Sequence, residues 1–132
     1  MVTHVLDTSA WIAHLQHEAG ADVVAAILAA PENQVGVSAL SLVELHARLR
    51  ALGREAEFEP VVEGYRLLFA AILSVDEQVA LQATLLRRDA SKRVPAIDAL
   101  IAATAASQNA ILVHRDPHFR TIPGDQLQQL SI

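Results

Sequence analysis

The sequence predicts a helix-rich α/β fold: a three-layer α/β/α sandwich around a short, mostly parallel central sheet. Three observations carry that expectation. Short apolar stretches at Val2–Leu6, Val35–Val37 and Ile111–Val113 alternate with longer segments of helical apolar spacing. The 24 alanines favour helices, because Ala is the best intrinsic helix former and lets a helix lie close to a sheet. With 132 residues, 52% of them hydrophobic, the chain is long enough for one core and short for two. Residues 1–132 are therefore expected to form a single domain, since no repeat, low-complexity tract or Pro/Gly-rich linker divides them.

The elements follow in order. Val2–Leu6 reads as a strand that meets Asp7-Thr8-Ser9, three helix-capping residue types, before a first helix from Ala10 to Leu15. Ala21 to Ala30 is a second helix ended by Pro31, and Val35–Val37 a second strand. Ser38 to Leu52 follows as a helix stopped by Gly53. Between Ala56 and Leu73 the apolar residues Phe58, Val61, Val62, Tyr65, Leu68 and Phe69 recur every three or four positions. That spacing favours a helix running towards a short strand near Ile72–Val75. Asp76 is placed to cap a helix reaching Arg88, whose apolar residues are Val79, Leu81, Leu85 and Leu86. A nearly uncharged helix, Pro95 to Ser107, leads to the buried strand Ile111–Val113, and Leu127–Leu130 is a candidate to close the sheet.

Composition removes several classes of function. Without cysteine there is no disulfide, thiolate zinc site or cysteine nucleophile, and a cytoplasmic location is expected. The N-terminus lacks a basic region followed by an apolar stretch, so it reads as mature structure rather than a signal peptide. Charges interrupt every apolar stretch well before a membrane span, so no membrane association is expected. Ten basic against 15 acidic residues, a net charge of −5, argue against a constitutively basic nucleic-acid binder. A nuclease remains compatible with that balance, because acids gathered round a metal count in the sum.

In an open parallel sheet, ligands bind in the crevice outside the carboxyl ends of the strands. Four acids are expected on that rim: Asp7 after the first strand, Glu44 one turn into the third helix, Asp98 in the first turn of the alanine-rich helix, and Asp116 just beyond Ile111–Val113. Each has a bland reading beside it. Asp7 can cap the first helix, Ser41-Leu42-Val43-Glu44 fits a capping box, Asp98 can answer a helix dipole, and Asp116-Pro117 matches a cap followed by Pro.

Asp98 tilts the balance, because it is the only charge between Val94 and Ala106. A buried acid there is costly unless paired, hydrogen-bonded or bound to a cation. Carboxylates about 4 Å apart repel by roughly 4 kcal/mol per pair at an effective dielectric near 20, so such a cluster calls for a counterion. Mg²⁺ or Mn²⁺ suits an all-oxygen set, and either can polarise a phosphoryl oxygen and activate water, so phosphodiester hydrolysis is the fitting reaction. Arg87, Arg88, Lys92 and Arg93 lead towards Asp98, and Arg115 and Arg120 flank Asp116, a distribution that suits phosphate steering. For Arg87 and Arg88 a solvated helix end explains the charge as well.

The segments VLDTSAWIA (5–13), SALSLVELHARL (38–49), DALIAATA (98–105) and ILVHRDPHF (111–119) resemble, in order and separation, those of the PIN-domain ribonucleases. Within that family the chain looks like the VapC-type toxins of bacterial and archaeal toxin–antitoxin (VapBC) modules, and the likeness spans nearly its whole length. The resemblance implies a PIN-like fold and a Mg²⁺- or Mn²⁺-dependent endoribonuclease, with Asp7, Glu44, Asp98 and Asp116 as the acidic metal site and Ser9 supporting it. It also implies a homodimer, and a small VapB-type antitoxin whose C-terminal segment covers the acidic groove to give a hetero-oligomer. Phe58, Tyr65 and Phe69 are candidates for an apolar dimer face, and core packing explains them equally well. Two departures stand out. His114 occupies a place where members often carry Thr, and Ser91-Lys92-Arg93 precedes Asp98 where a glycine is often found. His114, Arg115, Lys92 and Arg93 are therefore candidates for supporting or substrate-binding roles.

Other readings compete. His14 and His17 at i, i+3 and His114 and His118 at i, i+4 have zinc-compatible spacing, but no cysteine or HExxH partner is present. His14 and His17 are expected on the exposed side of the first helix, while His114 and His118 can touch substrate or move protons beside Asp116. No G-x-S-x-G elbow or phosphate-binding glycine loop occurs, and a receiver-like domain would show paired acids after its first strand. A non-catalytic interaction module on the same fold, or a PIN nuclease of RNA processing rather than a toxin, are the alternatives.

Overall fold

The structure is a computed structural model that describes residues 1–132. Its strands are β1 (His4–Leu6), β2 (Val35–Ser38), β3 (Ala71–Leu73), β4 (Ile111–His114) and β5 (Gln129–Ser131). They form one sheet in the order β3-β2-β1-β4-β5. Every pairing is parallel, so the sheet expected to be mostly parallel is wholly so. Six helices connect the strands: α1 (Thr8–Leu15), α2 (Ala21–Ala29), α3 (Ala39–Ala51), α4 (Phe58–Arg66), α5 (Glu77–Asp89) and α6 (Ala96–Ser107). Short 3₁₀ turns occupy Glu55–Glu57 and Pro117–Thr121.

Alternation along the strands divides the core into two layers. Val5 and Leu112 pack with Val79, Ala83 and Leu86 of α5 and the small residues of α6. Their neighbours Leu6 and Val113 point the other way, against Ala10 and Trp11 of α1, Val24 of α2, Leu45 and Leu49 of α3, and Val62 and Tyr65 of α4. Helices on both faces explain why the central strands are apolar without interruption. Between Val35 and Val37, Gly36 has a local reason: a Cβ there would lie 3.1 Å from the Ala71 carbonyl oxygen and 3.3 Å from Leu73 Cδ1 of the adjacent strand. No helix is long and apolar enough to cross a membrane.

Several expectations need correction. Ser38, not Ser41, caps α3, accepting the Leu40 N–H at 3.1 Å. Ser41 is buried inside the helix and Glu44 lies in its second turn, so the capping-box explanation of Glu44 falls away. The helix expected from residue 56 towards 73 ends at Arg66, because Leu67 and Leu68 face solvent as the chain turns into β3. Asp76 caps α5 as expected, accepting the Val79 N–H at 2.9 Å.

The aromatic residues weighed for a dimer face pack inside the monomer. Tyr65 is buried and meets Trp11 edge-on at 5.4 Å, while Phe69 meets the same indole at 5.2 Å. Phe58 and Phe69 are partly buried against that core layer. His14 is likewise half-buried rather than on an exposed face, because its Nδ1 lies 2.6 Å from the Tyr65 hydroxyl. Burial pushes the His14 pKa down, and no third metal-ligating side chain joins it and His17.

Candidate active site

The strand order reverses between β1 and β4. The chain builds β1, β2 and β3 outward in one direction, then returns to place β4 on the other side of β1. A crevice is expected at such a switch point, outside the carboxyl ends of the two strands. Asp7 and Asp116 follow those two ends, and the Asp7 N–H donates to the Val113 carbonyl at 2.9 Å, closing the register at that edge.

Each acid is held by its element. Asp7 is the N-cap of α1, buried, and its Oδ2 accepts the Ser9 N–H at 3.1 Å and the Ser9 hydroxyl at 2.6 Å. Ser9 Oγ in turn accepts the Arg115 N–H at 3.0 Å, so one hydroxyl joins the segment after β1 to the segment after β4. Glu44 Oε1 accepts the Thr8 hydroxyl at 2.6 Å, and Ser41 Oγ lies 2.9 Å from that hydroxyl. Asp98 sits in the first turn of α6, where the helix dipole favours a carboxylate. Asp116 caps the 3₁₀ turn that follows β4, its Oδ1 accepting the His118 N–H at 2.9 Å.

Thus the capping roles of Asp7 and Asp116 are real, and they coexist with convergence. All four carboxylates line a single open pocket of about 430 Å³, together with Thr8, Ser9, Ile12, Ala47 and Arg48. Their electrostatics show the cost of that crowding. Burial above all, then the negative charges of Asp98 and Glu44, push the Asp7 pKa to about 6 despite the two hydrogen bonds from Ser9. Asp98 is also raised to about 6, by burial first and then by Asp116 and Glu44, with His118 opposing. A pocket of hard oxygen donors that repel one another fits a divalent cation, which would relieve the repulsion and hold all four charged.

The remaining candidates are placed differently. His114 is fully buried: its Nδ1 accepts the Asp116 N–H at 3.2 Å, and its Nε2 lies 2.8 Å from Gln129 Oε1. That pattern assigns the proton to Nε2, and burial lowers the pKa, so a neutral imidazole braces the turn carrying Asp116 instead of meeting substrate. The Arg115 guanidinium is tied back to the α1–α2 connection, donating to the Ala19 carbonyl at 2.8 Å and meeting Glu18 Oε1 at 3.3 Å. Lys92 and Arg93 are exposed in the connection that enters α6.

Three residues gain a place that the sequence did not assign. Thr8 reads locally as a capping residue, yet its hydroxyl serves Glu44. Arg48, one turn beyond Glu44, lines the pocket with an exposed side chain and no ion-pair partner; its i, i+4 spacing was the available signal. His118, considered for substrate contact or proton transfer, has its Nδ1 2.9 Å from Asp116 Oδ1 and 3.4 Å from Asp98 Oδ2.

A family model described as the PIN domain matches residues 4–125. No curated protein shows significant sequence similarity to the chain. Among solved structures, the chain is similar to FitAcB from Neisseria gonorrhoeae, with 27% identity, a TM-score of 0.75, and 97% of this chain and 96% of that one covered. VapBC-5 of Mycobacterium tuberculosis, from the VapBC family of toxin–antitoxin systems, shares 25% identity at a TM-score of 0.71 with both chains fully covered. VapBC2 from Rickettsia felis, solved bound to a promoter DNA fragment, shares the fold at 18% identity and a TM-score of 0.78 over 98% of each chain.

Proposed function

The chain belongs to the PIN-domain family, and from that premise we propose that residues 1–132 form one PIN-like domain acting as a divalent-metal-dependent endoribonuclease, the VapC-type toxin of a toxin–antitoxin pair. The observation that carries this reading is the convergence of Asp7, Glu44, Asp98 and Asp116 on one pocket at the β1/β4 switch point.

Asp7, Asp98 and Asp116 would hold Mg²⁺ or Mn²⁺, with Glu44 a further ligand directly or through water. When bound, such an ion polarises a phosphoryl oxygen and acidifies water. The chain's own residues supply the rest. Ser9 fixes the Asp7 carboxylate, Thr8 fixes Glu44, and Asp116 is held by the turn it caps. Glu44 or Asp116 accepts the proton of the attacking water. The new P–O bond forms as the P–O3′ bond breaks in line, leaving a 5′-phosphate, while the departing O3′ takes a proton from solvent water to become the 3′-hydroxyl.

Partners follow from the similar complexes. VapBC-5, a member of a family of toxin–antitoxin systems, supports a cognate antitoxin, and the four carboxylates of the pocket make a basic side chain the natural complement for the segment that covers it. A homodimer within a cytoplasmic hetero-oligomer completes the assembly. Its apolar face must come from residues the monomer leaves exposed, such as Leu81 and Leu85 of α5, since Tyr65 is spent on the core.

Characterising the new ends of cleaved RNA tests the chemistry. Products with 5′-phosphate and 3′-hydroxyl ends are expected. Cyclic 2′,3′-phosphates would mean attack by the ribose hydroxyl and would discard the metal-hydrolysis reading.

A further inference from the structure

We propose that His118 is a nitrogen ligand of the metal centre, so that this chain's acidic pocket binds its cation through a mixed oxygen–nitrogen set rather than through carboxylates alone. The inference rests on the reading of the pocket as a divalent-metal site and goes beyond it in the identity of a ligand and the consequence for metal choice.

The geometry points to Nδ1. It lies 2.9 Å from Asp116 Oδ1 and 3.4 Å from Asp98 Oδ2. One donor atom from each of these three side chains falls within 4.8 Å of the others. Neighbouring donors of an octahedral ion with bonds of about 2.1 Å stand about 3.0 Å apart, so this imidazole is already at ligand spacing from Asp116 and within a small side-chain adjustment of it from Asp98. Its position is not a flexible accident of the surface. Pro117 restricts the backbone before it, and the His118 N–H is bound to the carboxylate its own ring faces. The ring is half exposed, so a hydrated ion reaches it, and Nε2 makes no hydrogen bond and is free to carry the ring proton.

A neutral imidazole changes selectivity. Carboxylate and water sets suit Mg²⁺, whereas a nitrogen donor favours the later divalent ions in the order Mn²⁺, Fe²⁺, Co²⁺. The His118 ligand therefore tilts the site from Mg²⁺ towards Mn²⁺ and Co²⁺. The same proximity has a rival explanation, in which a protonated His118 stands in for the cation and is displaced when the metal arrives.

Metal titration of the purified full chain separates the two. Mn²⁺, Co²⁺ and Mg²⁺ affinities are measured by calorimetry for the wild type, His118→Ala and Asp98→Asn, with electron spin-echo spectroscopy of the Mn²⁺ complex to detect directly bonded nitrogen. As a ligand, His118 predicts that His118→Ala weakens Mn²⁺ and Co²⁺ by about tenfold or more, changes Mg²⁺ by no more than about threefold, and abolishes the nitrogen signal. If His118→Ala leaves all three affinities unchanged, or tightens them, while Asp98→Asn removes binding, the metal centre stands and His118 is only a counterion. Absence of Mn²⁺ binding by the wild type would overturn both this inference and the reading on which it rests.

Discussion

The Thr8 hydroxyl donates to Glu44 Oε1 across 2.6 Å, joining the first turn of α1 to the second turn of α3. Hydrogen bonds to ionised groups contribute about 1.5–3 kcal/mol, enough to hold a carboxylate in one orientation. Thr8→Val keeps the shape and removes the donor, so kcat for RNA cleavage is expected to fall about tenfold or more with KM little changed. Thr8→Ser should restore most of it. A Val variant with wild-type kcat would show that Glu44 needs no such support.

Crowded acids make the metal-free protein sensitive to pH. The ordinary Asp value is 3.8, and both Asp7 and Asp98 titrate near 6 in the folded chain. Raised folded pKa values mean that the native state binds more protons than the unfolded one between those limits. Their stabilising contribution is complete below about 4 and is lost as pH rises through about 6. Histidines lowered by burial act in the opposite sense, so the clean measurement is a difference. Thermal melts should show Asp98→Asn gaining more over wild type at pH 7.5 than at pH 4, and added Mg²⁺ or Mn²⁺ should stabilise the wild type more at pH 7.5.

Asp116 carries two duties that two substitutions separate. As a cap it accepts the His118 N–H, a task asparagine performs equally well, whereas the negative charge belongs to the pocket. Both Asp116→Asn and Asp116→Ala should lose cleavage. In urea unfolding, only the Ala variant should lose a further ~1 kcal/mol relative to Asn. Equal stabilities would remove the capping role.

Basic residues near the pocket are not equivalent. Arg48 lines it with a free guanidinium, while that of Arg115 is committed to Ala19 and Glu18. Arg48→Ala should weaken binding of RNA to the Asp98→Asn protein and lower the salt slope of binding by about one. Arg115→Ala should leave that slope unchanged and reduce thermal stability instead. The reverse pattern would reassign phosphate contact to Arg115.

Much of the site was legible because it depends on position along the chain. Asp7 and Asp116 follow apolar strands, and Asp98 is a lone charge in an apolar helix. What escaped depends on contacts between distant segments. Burial of His114 is decided by Gln129 and Phe119, and the commitment of Arg115 by the α1–α2 connection. Thr8 meets a carboxylate on another helix, which no local pattern reveals. Glu44 was legible one turn into α3, whereas the competing Ser41 capping box failed because Ser38 and Ser41 are both good capping types and only the end of β2 chooses between them. Periodicity likewise identified the apolar face of α4 without saying that Trp11 would cover it.

Cleavage of total cellular RNA by the purified chain tests the central claim most directly, with Mn²⁺ or Mg²⁺, with EDTA, and with the Asp98→Asn variant. Discrete products that require the metal and disappear with EDTA and with the substitution are the predicted result. Equal cleavage by Asp98→Asn, or cleavage undiminished by EDTA, would contradict a metal-dependent ribonuclease built on these four acids.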